Sequence, residues 1–178
     1  DALAGAIEEN QRTILAGESS GKNSHETTPG VEWTRVSTIV PPWERFASKA
    51  AGWGIASHIM DDDYVVRRYV AGGFGSEQQP SLTWAVAKLL QLPVTQPPDA
   101  LRRANGANLR YYGPPLTIPH VSYAEALATN GTPENFFRDK IVFIGARPLT
   151  EFFRGRQDEF RSPYHSWANR ESFHPGVE

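Results

Sequence analysis

Asp61, Asp62 and Asp63 are adjacent, and Arg67 and Arg68 follow within the same short stretch. Three neighbouring carboxylates offer the hard oxygen ligands that hold Ca²⁺ or Mg²⁺. The spacing of a calcium loop, with its central Gly and distant Glu, is absent. Asp is also a frequent turn residue, so the simpler reading is an acidic hairpin turn and no metal. In "VVRRYV" successive residues of a strand point to opposite faces. One of the two arginines then faces a covered side, where it needs a carboxylate or a bound anion. A structural salt bridge satisfies that need, and so does a guanidinium fork gripping a ligand carboxylate or phosphate.

Other reactive types give less. His25, His58, His120, His165 and His174 are scattered, with no helical His-x-x-x-His pair to suggest zinc. The chain has no cysteine, which excludes disulfides, thiolate metal sites and cysteine nucleophiles but leaves the compartment open. There is no G-x-S-x-G elbow for a serine nucleophile. Neither G-x-G-x-x-G nor a Walker loop is present, so no nucleotide site or other cofactor is indicated.

Gly113 and Gly145 each close an apolar segment. If those segments are strands, their ends border a crevice of the kind that open α/β sheets use for ligands. Arg147 lies just beyond Gly145 and could meet an anion there; an exposed, solvated arginine is the plainer reading. Tyr123 opens a helix near the same loop. The candidate ligand-binding residues are therefore Asp63, Arg67, Arg68, Gly113, Tyr123, Gly145 and Arg147, with no catalytic residue and no metal ligand among them. Trp33, Trp43, Trp53, Trp84 and Trp167 could form a stacking surface, but Trp43 and Trp84 fall on or beside helix stripes, where core packing explains them.

These residues need elements to position them. "DALAGAIEENQ" is already helical at residue 1, as a cut-out fragment would be. "RTILAG" reads as a buried strand, and residues 18–30 as a flexible polar loop. "PPWERFASKAAGWG" suits a helix with Pro42 in its first turn. "GWGIASHIM" and "YVVRRYVAGG" read as an antiparallel hairpin joined by the three aspartates. "PSLTWAVAKLLQLP" is a helix capped by Ser81 and stopped by Pro93, with Leu82, Ala85, Val86 and Leu89 as its apolar stripe. "QPPDALRRANGAN" is a connector with a short helix. "NLRYYG" is a strand ended by Pro114 and Pro115, which cannot donate to a ladder. Ser122 and Glu125 then form a capping box for "VSYAEAL". "KIVFIGA" has the unbroken apolar character of a strand covered on both faces. Alternating helices and strands predict an α/β fold, a layered mixed sheet flanked by helices in a single domain of residues 1–178.

The 178 residues suffice for one such core. With 18 basic against 20 acidic residues and a formal charge of −2, the chain has no general attraction to nucleic acid. No apolar run approaches the roughly 18 to 20 residues that cross a bilayer, and no signal peptide is visible.

The order of these pieces resembles the type-2 CHASE domain. The matching segments are the acidic turn with "VVRR", Ser81-Leu82 opening a helix, "RYYGPP" with "VSYAEAL", "FRDKIVFIGA", "DEFRSPY" and the terminal "PGVE". They cover most of the chain from about Ala50 onward. The resemblance implies a ligand-sensing domain outside the cytoplasmic membrane of a bacterial receptor, in the periplasm, with no catalytic residues of its own. It implies membrane helices before and after the domain and a cytoplasmic histidine kinase, nucleotide cyclase or Ser/Thr kinase as output. The expected partners are an unidentified small molecule, those membrane and output segments of the same chain, and a second copy in a homodimer. Two departures stand out. The family's opening strand-helix-strand unit is missing, so the sheet either lacks it or receives it from a longer parent. The tail inserts "HSWANRESFH" before "PGVE". From a different class, a periplasmic enzyme acting on a small anionic substrate through Asp63, Arg67 and Arg147 is the alternative, and a ligand-free dimerisation module is a third.

Overall fold

The computed structural model describes residues 1–20, 38–58, 60–75, 77–115, 117–145, 159–164 and 173–175. Helices and a small mixed sheet give an α/β fold. The chain divides into two compact units, Asp1–Ile59 with Arg68–Asn108, and Met60–Arg67 with Leu109–Glu178.

The first unit opens with helix α1, Ala2–Asn10, whose N-terminus is capped by the Asp1 carboxylate at 3.2 Å from the Leu3 amide. Strand β1, Ile14–Ser20, pairs antiparallel through its second half with β2, Thr38–Val40. The short helix α2, Glu44–Ala47, precedes strand β3, Gly52–Ile55, which runs parallel to the first half of β1 in the register Ile14↔Gly52 to Gly17↔Ile55. The sheet order is thus β2-β1-β3. The expected loop from residue 18 is displaced, because Glu18 to Ser20 belong to β1; residues 21–30 lie outside the described residues.

The hairpin expected from "GWGIASHIM" and "YVVRRYVAGG" does not form. Its first arm takes β1 as partner, and Tyr64–Ala71 forms isolated bridges in place of a continuous strand. Strand β4, Gly72–Phe74, instead pairs antiparallel with β5, Gln79–Pro80. The Asn105 side chain extends this edge like an added strand. Its Oδ1 accepts the amides of Ala71 (2.7 Å) and Gly72 (3.3 Å), and its Nδ2 donates to the Gly72 carbonyl (3.0 Å).

Helix α3, Leu82–Leu89, starts where Ser81 predicts: the Ser81 Oγ accepts the Trp84 amide at 3.2 Å. The buried face differs from the expected stripe. Trp84 is its buried residue, while Leu89 is exposed. Leu82, Ala85 and Val86 of the stripe are half-buried, and Trp84 packs against Ala71 and Ala100. Ala100 belongs to the short helix α4, Ala100–Ala104, within the connector. Trp43, expected to pack, is 67 % exposed and leans on Arg45 and Phe46.

The second unit contains helix α5, Tyr123–Leu127, with the Ser122 Oγ accepting the Glu125 amide at 3.1 Å as the capping box requires. Strands β6, Glu159–Arg161, and β7, Phe173–Pro175, pair antiparallel. Among the described residues Val65, Val66 and Phe160 are its buried apolar side chains. Two expected strands are not formed. Residues 109–113 show no strand, and neither do 140–145, where Ile141, Val142, Phe143 and Ile144 are all exposed. An apolar run becomes a covered strand only when a ladder partner and covering layers reach it, and among the described residues no strand pairs with this one.

Close backbone packing gives a direct test of the first unit. A methyl group on Gly54 would lie 2.6 Å from the Ser81 carbonyl oxygen and 2.8 Å from the Leu82 Cα, both backbone. At Gly52 the nearest atom is the tip of Ile14 at 3.4 Å. In urea denaturation, Gly54→Ala should cost about 1 to 3 kcal/mol. Gly52→Ala should stay within about 0.5 kcal/mol. Equal effects would contradict this packing.

Candidate functional site

The acidic turn is present, and its construction is local. The Tyr64 amide donates to the Asp61 carbonyl (2.8 Å), and the Asp61 amide donates to the Val65 carbonyl (2.9 Å). Tyr64 closes the loop in the left-handed region at φ 62°, as the last position of a three-residue hairpin loop demands. The Asp63 Oδ1 also accepts the Val65 amide at 3.2 Å, tying the side chain to its own turn.

Arg67 then reaches back over the loop. Its two terminal nitrogens meet the two Asp63 oxygens at 2.8 and 2.7 Å, and one of them also meets Asp61 at 3.0 Å. The parallel contacts to Asp63 are the fork geometry that separates arginine from lysine. Asp61 is the most covered partner, with its side chain 18 % exposed. Hydrogen bonding to Arg67 is the main reason the Asp63 carboxyl is lowered to about 2. The same bonds, first to Asp63 and then to Asp61, raise the Arg67 guanidinium further above its already high range.

A distant segment completes the site. The Val66 amide donates to the Arg161 carbonyl at 2.9 Å, and Val65 bridges to Arg161 in parallel sense. This sets Arg161, Ser162 and Pro163 beside the turn. Between them lies a groove of about 460 Å³ lined by Asp62, Asp63, Tyr64, Val65, Arg67, Arg161, Ser162 and Pro163. Ser162 is fully buried, and its Oγ accepts the Tyr164 amide at 3.2 Å. Behind the wall, the Tyr111 hydroxyl donates to the Val66 carbonyl at 2.8 Å. Burial pushes this phenol up to about 12, against the opposing pull of Arg67, so it remains a neutral donor.

The lining offers carboxylates, guanidinium groups and a hydroxyl, a set suited to recognising a charged or polar molecule by hydrogen bonds. Asp61 and Asp63 both turn onto Arg67, and among the described residues no three His, Cys, Asp or Glu side chains converge to share a metal ion. Of the residues singled out in the sequence, Asp63 and Arg67 meet in this groove. Arg68 belongs to the first unit, opposite Asn108. Gly113 is buried against the Thr117 side chain, Tyr123 is 70 % exposed on α5, and Gly145 is exposed. Gly113 and Gly145 do not terminate strands, which removes the strand-end crevice expected between them. Arg147 lies outside the described residues. Sequence reasoning missed Tyr64, Arg161 and Ser162 as site residues. The last two sit in "DEFRSPY", and only that motif pointed to them.

The fork makes a prediction with a definite sign. Asp63 titrates lower in the folded chain than its ordinary 3.8. Its contribution to stability is therefore fully present above about pH 4 and is lost as pH falls through about 2. Arg67→Lys keeps the charge but not the fork, so the Asp63 midpoint should move up toward 3.8 in a carboxyl-carbon NMR titration. An unmoved midpoint would mean that the fork does not hold this carboxylate.

No curated protein and no solved structure matches the chain. The CHASE2 domain family matches it over residues 1–178, which extends the resemblance seen from Ala50 onward to the first residue. The chain belongs to the CHASE2 domain family, whose members are extracellular sensory domains of signalling proteins.

Proposed function

We propose that the chain is the ligand-sensing, extracytoplasmic part of a bacterial transmembrane receptor. Its task is to pass a conformational change through flanking membrane helices to a cytoplasmic histidine kinase, nucleotide cyclase or Ser/Thr kinase. The observation that carries this reading is the family match over the full 178 residues. Among the described residues no helix is long and apolar enough to cross a membrane.

The energetic demand is small. A ligand that favours one of two packing states by about 1 to 3 kcal/mol changes output roughly 5- to 150-fold. The groove between the acidic turn and the Arg161 segment supports the reading. It is sized for a small molecule, and its two walls come from segments far apart in sequence. A ligand spanning both walls would alter how they pair. A homodimer of such domains would carry that change across the membrane symmetrically.

Two measurements on the parent protein test the proposal. A reporter enzyme that matures only outside the cytoplasm should be active when fused within this domain. Removing the domain in frame should change kinase or cyclase output at constant protein level. An inactive reporter, or output and stimulus response indifferent to the deletion, would reject a sensor role.

A further inference from the structure

Two Asn-Gly pairs stand in the chain, Asn105-Gly106 and Asn130-Gly131. This dipeptide has a reaction of its own. Glycine carries no side chain to screen its amide nitrogen, so that nitrogen can attack the side-chain carbonyl of the preceding asparagine. The fold treats the two pairs in opposite ways.

Asn105 is held at both reacting ends. Its Oδ1 accepts the amides of Ala71 (2.7 Å) and Gly72 (3.3 Å), and its Nδ2 donates to the Gly72 carbonyl (3.0 Å). The attacking nitrogen is tied as well, because the Gly106 amide donates to the Tyr69 carbonyl at 2.8 Å. All of these partners come from a segment distant in sequence. Attack requires the nitrogen and the carbonyl carbon to meet in one defined geometry, and here the side chain must first leave the strand edge it completes.

Asn130 is exposed in the turn that follows α5. Among the described residues its side chain has no hydrogen-bond partner. The Gly131 amide donates to the Ala128 carbonyl at 3.0 Å, a bond inside the same turn. Helix α5 buries none of its residues, so this turn opens locally at low cost. Packing also demands glycine at 131, since an added methyl would run into the Glu125 carbonyl oxygen. The residue type that leaves its amide unscreened is therefore fixed beside an unheld asparagine.

We propose that Asn130 is a site of spontaneous deamidation, against which the fold protects Asn105. The Gly131 nitrogen bonds to the Asn130 side-chain carbonyl carbon, and the bond from that carbon to Nδ2 breaks. Nδ2 departs as ammonia with the proton of the Gly131 amide, leaving a succinimide. Water opens the ring at either carbonyl to give aspartate or isoaspartate at position 130. The net change is amide plus water to carboxylic acid plus ammonia, with no oxidant or reductant. Isoaspartate lengthens the main chain by a methylene next to the close approach of Gly131 and Glu125, so the turn loses its present course.

The test ages the 178-residue chain in mildly alkaline buffer and maps its tryptic peptides by mass spectrometry. Cuts after Arg103, Arg110 and Arg138 place the two pairs on separate peptides. Asn130 should deamidate on the order of a hundredfold faster than Asn105, the combined weight of three ordinary hydrogen bonds. In urea the bonds at Asn105 are gone, and the two rates should converge. Asn130→Gln, whose longer side chain closes a larger ring more slowly, should silence its peptide and leave the circular dichroism melt unchanged. Equal rates in the folded chain, a faster reaction at Asn105, or a disparity that survives in urea would each overturn the assignment.

Discussion

Arg67 reaches back four residues to Asp63 and six to Asp61, and the shape of the second unit around the groove depends on that reach. The three side chains are partly open to water, so their Coulomb attraction is heavily screened and adds little to overall stability. Their contribution is geometric. Two parallel bonds to Asp63 allow one orientation of the guanidinium, and the third contact fixes the start of the turn against its end. Tyr64 is held in a left-handed conformation that side chains avoid, so something must oppose its relaxation. The fork and the Asp63–Val65 bond span that residue and do so.

The same commitment decides which groups are available for recognition. A ligand carboxylate seeking Arg67 would have to displace two carboxylates already aligned on it. Asp63, ionised down to about pH 2, does not give way at any physiological pH. Recognition therefore falls to groups outside the fork. Asp62 is exposed at the same turn and lines the same groove. On this view the fork is scaffold, and it aims its neighbours.

What could be read from the sequence was local. Ser81 and Ser122 cap helices because a hydroxyl three residues before an amide reaches it whatever the rest of the chain does. The run of aspartates makes a turn for the same reason, and Arg67 four residues beyond Asp63 was one arm of the salt-bridge reading. Pairing could not be read in this way. "YVVRRYV", "NLRYYG" and "KIVFIGA" all have strand composition, yet a strand exists only where a second backbone meets it, and that choice is made by distant segments. Gly52–Ile55 selects β1 over the segment that follows the turn. On helix α3 the periodic stripe is only half-buried while Trp84 is fully packed, because the neighbours Ala71 and Ala100 that cover it come from distant segments. Arg161 and Ser162 lie nearly a hundred residues from the turn they complete, where no spacing rule reaches.

That distance is itself mechanistically useful. Among the described residues, the turn arm and the Arg161 segment meet at a parallel backbone bridge that includes the Val66 amide–Arg161 carbonyl bond, where β1 and β3 pair over four residues each. Segments tied by few hydrogen bonds open at lower cost than the core, and switching elements are drawn from that low-cost end. A groove formed at such a junction couples occupancy to pairing by construction, since a molecule bonded to both walls stabilises the paired arrangement alone. A groove cut into one rigid element would bind equally well in both states and signal nothing. On the proposed sensor reading, a ligand bonded to both walls would favour the arrangement in which the acidic turn and the Arg161 segment are paired.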